Sequence, residues 1–155
     1  MLFRSLAGAA LVTLTVVGNA QAATQLTPRD NSGAHTGVTV AANGSCSLDF
    51  RVWLTAGTAG TATANVEGRT QGGAGLFTGS SAVAACRAGV TISWRRVDAD
   101  GNGVTGFVTV GLDADEHPDL RTVPLQTGAG AIELTVTPEH PPIAGSVSTK
   151  TYDVP

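Results

Sequence analysis

The residues best suited to chemistry lie in two acidic, turn-like segments in the second half of the chain. The segment Asp98-Ala-Asp100-Gly-Asn102-Gly103 places oxygen ligands at the first, third and fifth positions of a calcium loop, with glycine at the sixth. The twelfth position, which brings a bidentate glutamate in an EF-hand, is Thr109. Alternating apolar sequence flanks the segment, and Asp-Gly and Asn-Gly are frequent hairpin turns. We therefore expect a hairpin turn, with weak calcium binding by a partial oxygen cage as the alternative.

A second acidic run extends from Asp113 to Asp119 and directly follows a candidate strand. Hard oxygen ligands of this kind suit a divalent cation, and here they are Asp113, Asp115, Glu116 and Asp119. Paired carboxylates also serve glycosidases, but those enzymes need a deep cleft, which a small sandwich with few aromatic residues rarely forms. The composition, with Pro118 as a breaker, is typical of a solvated loop. We expect a solvated loop first and cation binding second.

No other pattern indicates catalysis. The chain has no GxSxG nucleophile motif, and its three histidines lie far apart and outside any HExxH pattern. Asp30, Ser32 and His35 are close in sequence, but they lie in a polar leader, whereas catalytic triads are held by separate rigid elements. The sequence therefore predicts a protein that is not an enzyme and needs no cofactor.

The first 22 residues have the organisation of a secretory signal peptide. Arg4 supplies the positive charge, Leu6 to Gly18 form the apolar region, and Ala20-Gln21-Ala22 is a small-residue cleavage site. A membrane anchor would need about 20 apolar residues, more than this run contains. We expect cleavage after Ala22 and a secreted, periplasmic or cell-surface protein with no membrane insertion afterwards. A flexible leader would follow at residues 23–35, and a single domain at residues 36–155.

Charge excludes one class of partner. The net charge is -3, and Lys150 is the only lysine. A protein that neutralises phosphates needs a basic stripe, so nucleic acid is not an expected partner.

Cys46 and Cys86 predict one disulfide, because an even number of cysteines in an exported chain usually forms bridges. Closing a loop of about forty residues would stabilise the fold by about 4 kcal/mol. Two buried free thiols are the alternative.

Most of the chain after the leader has the pattern of short strands. Apolar and polar residues alternate in "CSLDFRVWLTA" and "CRAGVTISWRRV", and Gly, Asn, Asp and Pro interrupt the alternation about every ten residues. The pattern predicts an all-β, immunoglobulin-like antiparallel β-sandwich of seven to nine short strands. Each cysteine lies on the apolar side of its own strand, so the disulfide would join the two sheets.

The alternation also predicts a contact surface. Trp53 shares the polar side of its strand with Asp49 and Arg51. An outward tryptophan beside an arginine is typical of sites that hold a protein or a sugar. We name Trp53 and Arg51 as candidate partner-binding residues, with a covering loop over the tryptophan as the alternative.

At its two ends the chain resembles secreted bacterial fimbrial subunits, including the spore-coat-U type. The resemblance rests on "TGVTVAANGSCSLDF", a strand that runs into a cysteine, and on "AGSVSTKTYDVP", a final strand with a tyrosine near the terminus. It implies an incomplete immunoglobulin-like fold that a neighbour's N-terminal extension completes, with residues 23–35 as the donor.

Three functions are therefore open. The first is a secreted binding or surface-structural module, and the second is a fimbrial-type subunit that polymerises by strand donation. The third is a small secreted inhibitor of a hydrolase, which would present the loop from Gly72 to Ser81.

Overall fold

The alternating pattern forms strands throughout a computed structural model of the chain, which describes residues 23–41, 46–71, 86–97, 105–114, 117–140, 142–144 and 149–155. Within these ranges there are nine strands: β1 (Thr36–Ala41), β2 (Ser47–Ala56), β3 (Ala62–Gln71), β4 (Cys86–Arg96), β5 (Thr105–Ala114), β6 (Asp119–Leu125), β7 (Gly130–Pro138), β8 (Pro142–Ala144) and β9 (Thr149–Val154). The predicted signal peptide and the loop at residues 72–81 lie outside the described residues.

The strands form two antiparallel sheets that pack against each other. One sheet has five strands in the order β6-β3-β2-β1-β8, and the other has four in the order β5-β4-β7-β9. The β2–β3 hairpin is in the first sheet and the β4–β5 hairpin in the second. The predicted antiparallel β-sandwich is confirmed. No helix in the described part of the chain is long and apolar enough to cross a membrane.

The core lies between the sheets and comes from one side of each strand. In β2 every second residue is buried, and the outward residues between them are exposed or half-buried. The largest fully buried side chains include Phe50, Leu48, Leu54, Ile92 and Tyr152. Burying one such aliphatic or aromatic side chain contributes roughly 1.5 to 3 kcal/mol, so this alternation fixes which face of each sheet meets solvent.

The disulfide joins the two sheets, as the sequence predicts. Cys46 immediately precedes β2 and Cys86 is the first residue of β4, and their Cα atoms are 5.9 Å apart. Cys86 is fully buried. The bridge therefore fixes the start of β2 against the start of β4, at the end of β4 away from Trp94.

Trp94 lies near the other end of β4 and packs over the β5 edge. It is half-buried, its indole Nε1 donates to the Gln126 carbonyl at 3.3 Å, and its ring lies directly over Gly106. A side chain at residue 106 would collide with the ring, so glycine is required there. A tryptophan that covers a cross-strand glycine in this way holds the register of the β4–β5 pair.

Residues 23–35 are packed against the sandwich, although their composition predicts a flexible leader. Thr24 and Leu26 form backbone hydrogen bonds with Ala56 and Leu54 of β2. These two residues lie past Val52, the last residue of β2 that pairs with β1. The chain then crosses to β9, where the Arg29 amide donates to the Thr151 carbonyl at 2.9 Å. The leader thus joins one sheet to the other, since backbone groups that pair with sheet edges are held in place.

Candidate functional site

The outward side of the five-stranded sheet carries the predicted contact residues, and we call it the Trp53 face. Trp53 points away from the core, as its alternation with Val52 and Leu54 requires. It is half-buried, because the ring of His35 packs edge-on against it with the centroids 5.2 Å apart. The predicted covering of Trp53 is therefore partial, and it comes from the leader.

Arg51 lies two residues before Trp53 on the same side of β2 and is exposed. Its neighbour in the register is Glu67. That carboxylate accepts from Arg69 at 2.7 Å instead. In the described part of the chain the Arg51 guanidinium forms no hydrogen bond or ion pair, and neither does the Trp53 indole N–H. Both donors are available to a partner.

Two further residues complete the Trp53 face. Asn65 is opposite Trp53 in the register, and its amide is held by Thr55 Oγ1 at 3.3 Å. Leu120 of β6 is opposite Glu67 and is 54% exposed. The face therefore combines one aromatic ring, one exposed aliphatic side chain and one unpaired cation. Sequence reasoning missed Leu120, because an edge strand of seven residues that includes a proline has a weak alternation signal.

The outward side of the four-stranded sheet, which we call the Phe107 face, is chemically different. Phe107 is 76% exposed and lies on the β5 edge. It borders an open depression of about 470 Å³ lined by Ser93, Trp94, Arg95, Thr105, Gly106, Phe107, Glu133 and Thr135. Ligand sites of this size are common in proteins.

Hydroxyl side chains cover most of the Phe107 face. Alternation and register place on it Thr91, Ser93, Thr105, Thr109, Thr135, Thr137, Thr149 and Thr151. Two hydroxyl pairs bridge adjacent strands, Thr91 with Thr109 at 3.1 Å and Thr135 with Thr149 at 2.9 Å. The sequence carried a signal for Phe107. In "TGFVTVGL" the valines occupy every second position and face the core, and Phe107 lies at an intervening position, so it faces outward.

Charges on the Phe107 face are paired. Arg95 Nε donates to Glu133 Oε1 at 2.7 Å, and this hydrogen bond raises the pKa of Arg95 above its usual value. Arg87 Nε likewise donates to Asp113 Oδ2 at 2.9 Å. Because both pairs are more than a third exposed on the arginine side, each contributes little to stability and mainly neutralises the face.

The predicted cation ligands are only partly within the described residues. Asp98, Asp100, Asn102, Asp115 and Glu116 lie outside them. Asp113 is within them and is ion-paired with Arg87, while its amide donates to Asp119 Oδ2 at 3.0 Å. In the ranges that the structure describes, no three His, Cys, Asp or Glu side chains come together as a metal site. The flanking strands of the Asp98 segment do pair as a hairpin, with Arg95 opposite Thr105.

The Asp30, Ser32 and His35 group does not form a triad. The Ser32 hydroxyl and, to a smaller extent, the Ser32 amide, which donates to Asp30 Oδ1 at 3.0 Å, lower the pKa of Asp30. His35 instead contacts Trp53. These residues therefore shape the leader and give it no arrangement of nucleophile and base.

Comparisons with protein-family models, with curated proteins and with solved structures found no match for this chain. The resemblance to fimbrial subunits therefore stays a prediction.

Proposed function

We propose that this protein is a secreted, non-enzymatic binding module that recognises a protein partner through the Trp53 face. The proposal rests on Trp53 and Arg51, which lie two residues apart on the same side of β2 and whose donors have no partner among the described residues. The disulfide is compatible with an extracellular or periplasmic location, and the signal-like N-terminus supports export.

The residue types favour a protein partner at this face. Tryptophan and arginine dominate the binding energy of protein interfaces, especially beside other apolar groups that exclude water. Leu120 supplies such a group, and Glu67 and Arg69 form a paired, polar rim. Since Arg51 has no ion pair within the described ranges, it can donate to a carboxylate of a binding protein without breaking one there.

The sheet supports such a contact physically. Trp53 has few rotatable bonds and is held on one side by His35, so little conformational entropy is lost when a partner covers it. β2 is hydrogen-bonded on both sides, by β1 and β3, which holds Trp53 and Arg51 in fixed positions relative to each other. A preorganised surface of this kind binds with less cost than a loop.

The test is partner capture with matched variants. The mature chain is immobilised and exposed to the envelope and culture proteins of its host, and a retained protein is then titrated in purified form. We expect Trp53→Ala and Arg51→Ala each to weaken that binding by roughly tenfold or more. Phe107→Ala, on the opposite sheet, is the control and should bind as the wild type does.

Circular dichroism of each variant checks that the fold persists. Arg51→Ala is the more decisive variant, because its side chain is exposed and makes no internal hydrogen bond in the described residues. A retained protein that binds both Trp53 face variants with unchanged affinity would contradict the proposal.

A further inference from the structure

The Phe107 face has the features of a second binding surface, independent of the Trp53 face. It lies on the other sheet, so the whole thickness of the sandwich separates the two. We propose that the Phe107 face binds an uncharged polysaccharide chain, with Phe107 as the residue on which a sugar ring stacks.

Phe107 provides the apolar surface for a sugar ring. An aromatic side chain that is 76% exposed leaves a large apolar area in water, and covering it is favourable. A pyranose ring has an apolar face of C–H groups that fits flat on such a ring, with its hydroxyl groups pointing outward around the rim. Phe107 stands beside the smaller Ser93 in the register, which leaves space next to the ring for a second sugar unit.

The hydroxyl groups around Phe107 suit the hydroxyl groups of a sugar. A threonine or serine hydroxyl both donates and accepts hydrogen bonds, as a sugar hydroxyl does. Each protein hydroxyl can therefore serve as donor or acceptor to the sugar. Ser93 and Thr135 continue the Phe107 row across β4 and β7, and Thr105 and Thr109 flank Phe107 along β5. The four strands span roughly 14 Å at their usual spacing, which accommodates a chain rather than a single sugar.

The charges of the Phe107 face favour a neutral chain over an anionic one. The cations of this face within the described residues, Arg87 and Arg95, are already paired with Asp113 and Glu133. An anionic polysaccharide or a phosphate would have to break an existing pair to gain a cation. The exposed carboxylate Glu139 lies over Gly89, two rows from Phe107, and would repel an anion further. A neutral chain meets none of these costs.

The same features argue against a protein at this face. Serine and threonine are under-represented among the residues that dominate protein interfaces. The two arginines of this face are already paired with Asp113 and Glu133, and Trp94 is half-buried, so Phe107 is the exposed anchor that remains. The paired Arg95 and Glu133 can instead hydrogen-bond to sugar hydroxyls with their remaining donor and acceptor positions.

The test is retention of the purified mature chain on insoluble polysaccharides. The probes are cellulose, chitin, a β-1,3-glucan and starch as neutral chains, with alginate and heparin as anionic ones. We expect at least one neutral polysaccharide to retain the protein, and the affinity to stay nearly constant from about 0.1 M to about 1 M salt, because no ion pair is formed.

Variants then locate the contact. Phe107→Ala should weaken retention by roughly tenfold or more, whereas Phe107→Trp should preserve or strengthen it. The matched control is Leu120→Ala, which removes an exposed apolar side chain from the opposite sheet and should leave retention unchanged. Trp53→Ala should also leave retention unchanged. Failure of the polysaccharide proposal and failure of the protein-binding proposal are therefore separate results.

Three outcomes would overturn the inference. The first is no retention by any neutral polysaccharide, and the second is retention that Phe107→Ala does not alter. The third is retention by the anionic polymers alone that disappears at high salt. Phe107 is exposed, so its replacement should not unfold the protein, and circular dichroism of the variant verifies this.

Discussion

Tyr152 is the largest side chain that the sandwich buries completely. Its hydroxyl forms no hydrogen bond of normal geometry among the described residues, and burial raises its pKa to about 12 against a smaller, opposite effect of the Thr36 side chain. A phenol that ionises near pH 10 in the unfolded chain therefore keeps its proton in the folded protein to higher pH. The protein's stability toward alkali depends on this one residue in a way that can be measured.

We predict that Tyr152→Phe removes part of the alkaline loss of stability. Between pH 10 and about 12 the unfolded state binds fewer protons than the folded state, so the free energy of unfolding falls as pH rises. The contribution is fully present below pH 10 and should be lost by on the order of 2 kcal/mol across this range. Urea denaturation of both proteins at a series of pH values measures it.

Phenylalanine is the suitable replacement because it keeps the ring and removes only an unpaired hydroxyl. At neutral pH the variant should lie within about 1 kcal/mol of the wild type. Other groups that titrate in alkali are common to both proteins, so the difference between the two curves belongs to Tyr152. Parallel curves up to pH 12 would refute the assignment.

At the residue scale, strand alternation predicts which side of the sheet a side chain occupies, but it does not predict what the side chain contacts there. The outward positions of Trp53 and Arg51 follow from alternation alone. Phe107 obeys the same rule, yet the sequence analysis did not select it, because its exposure depends on the absence of a covering strand at the β5 edge. The contact of His35 with Trp53 was not predictable either, since it depends on where the leader runs.

At the element scale, the leader is held by the only lysine of the chain. Lys150 lies on the inward side of β9, and its ammonium donates to the carbonyls of Ser32, Gly33 and His35, at 2.8 and 2.9 Å for the last two. The Arg29 guanidinium and the Asp153 carboxylate form an ion pair next to it, which lowers the pKa of Asp153. The leader is thereby tied to β9.

We predict that Lys150→Met loosens the leader. Methionine keeps a long apolar stem but leaves three carbonyls without their charged donor, and the expected loss is about 2 to 3 kcal/mol. In native buffer trypsin should then cleave faster after Arg29, and mass spectrometry would detect a product that begins at Asp30. Lys150→Arg, which keeps the charge, is the control and should retain part of the protection. Equal cleavage of wild type and Lys150→Met would show that the ammonium does not hold the segment.

The strands were more predictable than the leader for a physical reason. Each strand repeats its signal every two residues, and the disulfide joins Cys46, directly before β2, to Cys86, the first residue of β4. The leader has no such period. Its position depends on single long-range contacts, such as the one between Lys150 and Gly33, which no local pattern encodes.

At the scale of the whole molecule, the strand edges of the five-stranded sheet bear on whether copies of the chain associate. Thr24 and Leu26 bind the end of β2 that β1 leaves open, so the chain supplies this pairing itself. The outer strands of the five-stranded sheet offer little to a second copy, because β8 has three residues and β6 contains Pro124 and the exposed, charged Arg121. These features favour a single copy in solution.

We therefore predict that the chain from residue 23 is a monomer in size-exclusion chromatography with light scattering, even at high protein concentration. Deleting residues 23–29 removes the segment that pairs with Leu54 and Ala56 and leaves those backbone groups without these hydrogen bonds. The shortened protein should be less stable and should associate, because an open strand edge pairs with any available chain. A synthetic peptide of residues 23–29 added to the shortened protein should restore the monomer. Polymers formed by the complete chain would instead support strand donation between subunits, because the leader would then leave its own β2 for that of a neighbour.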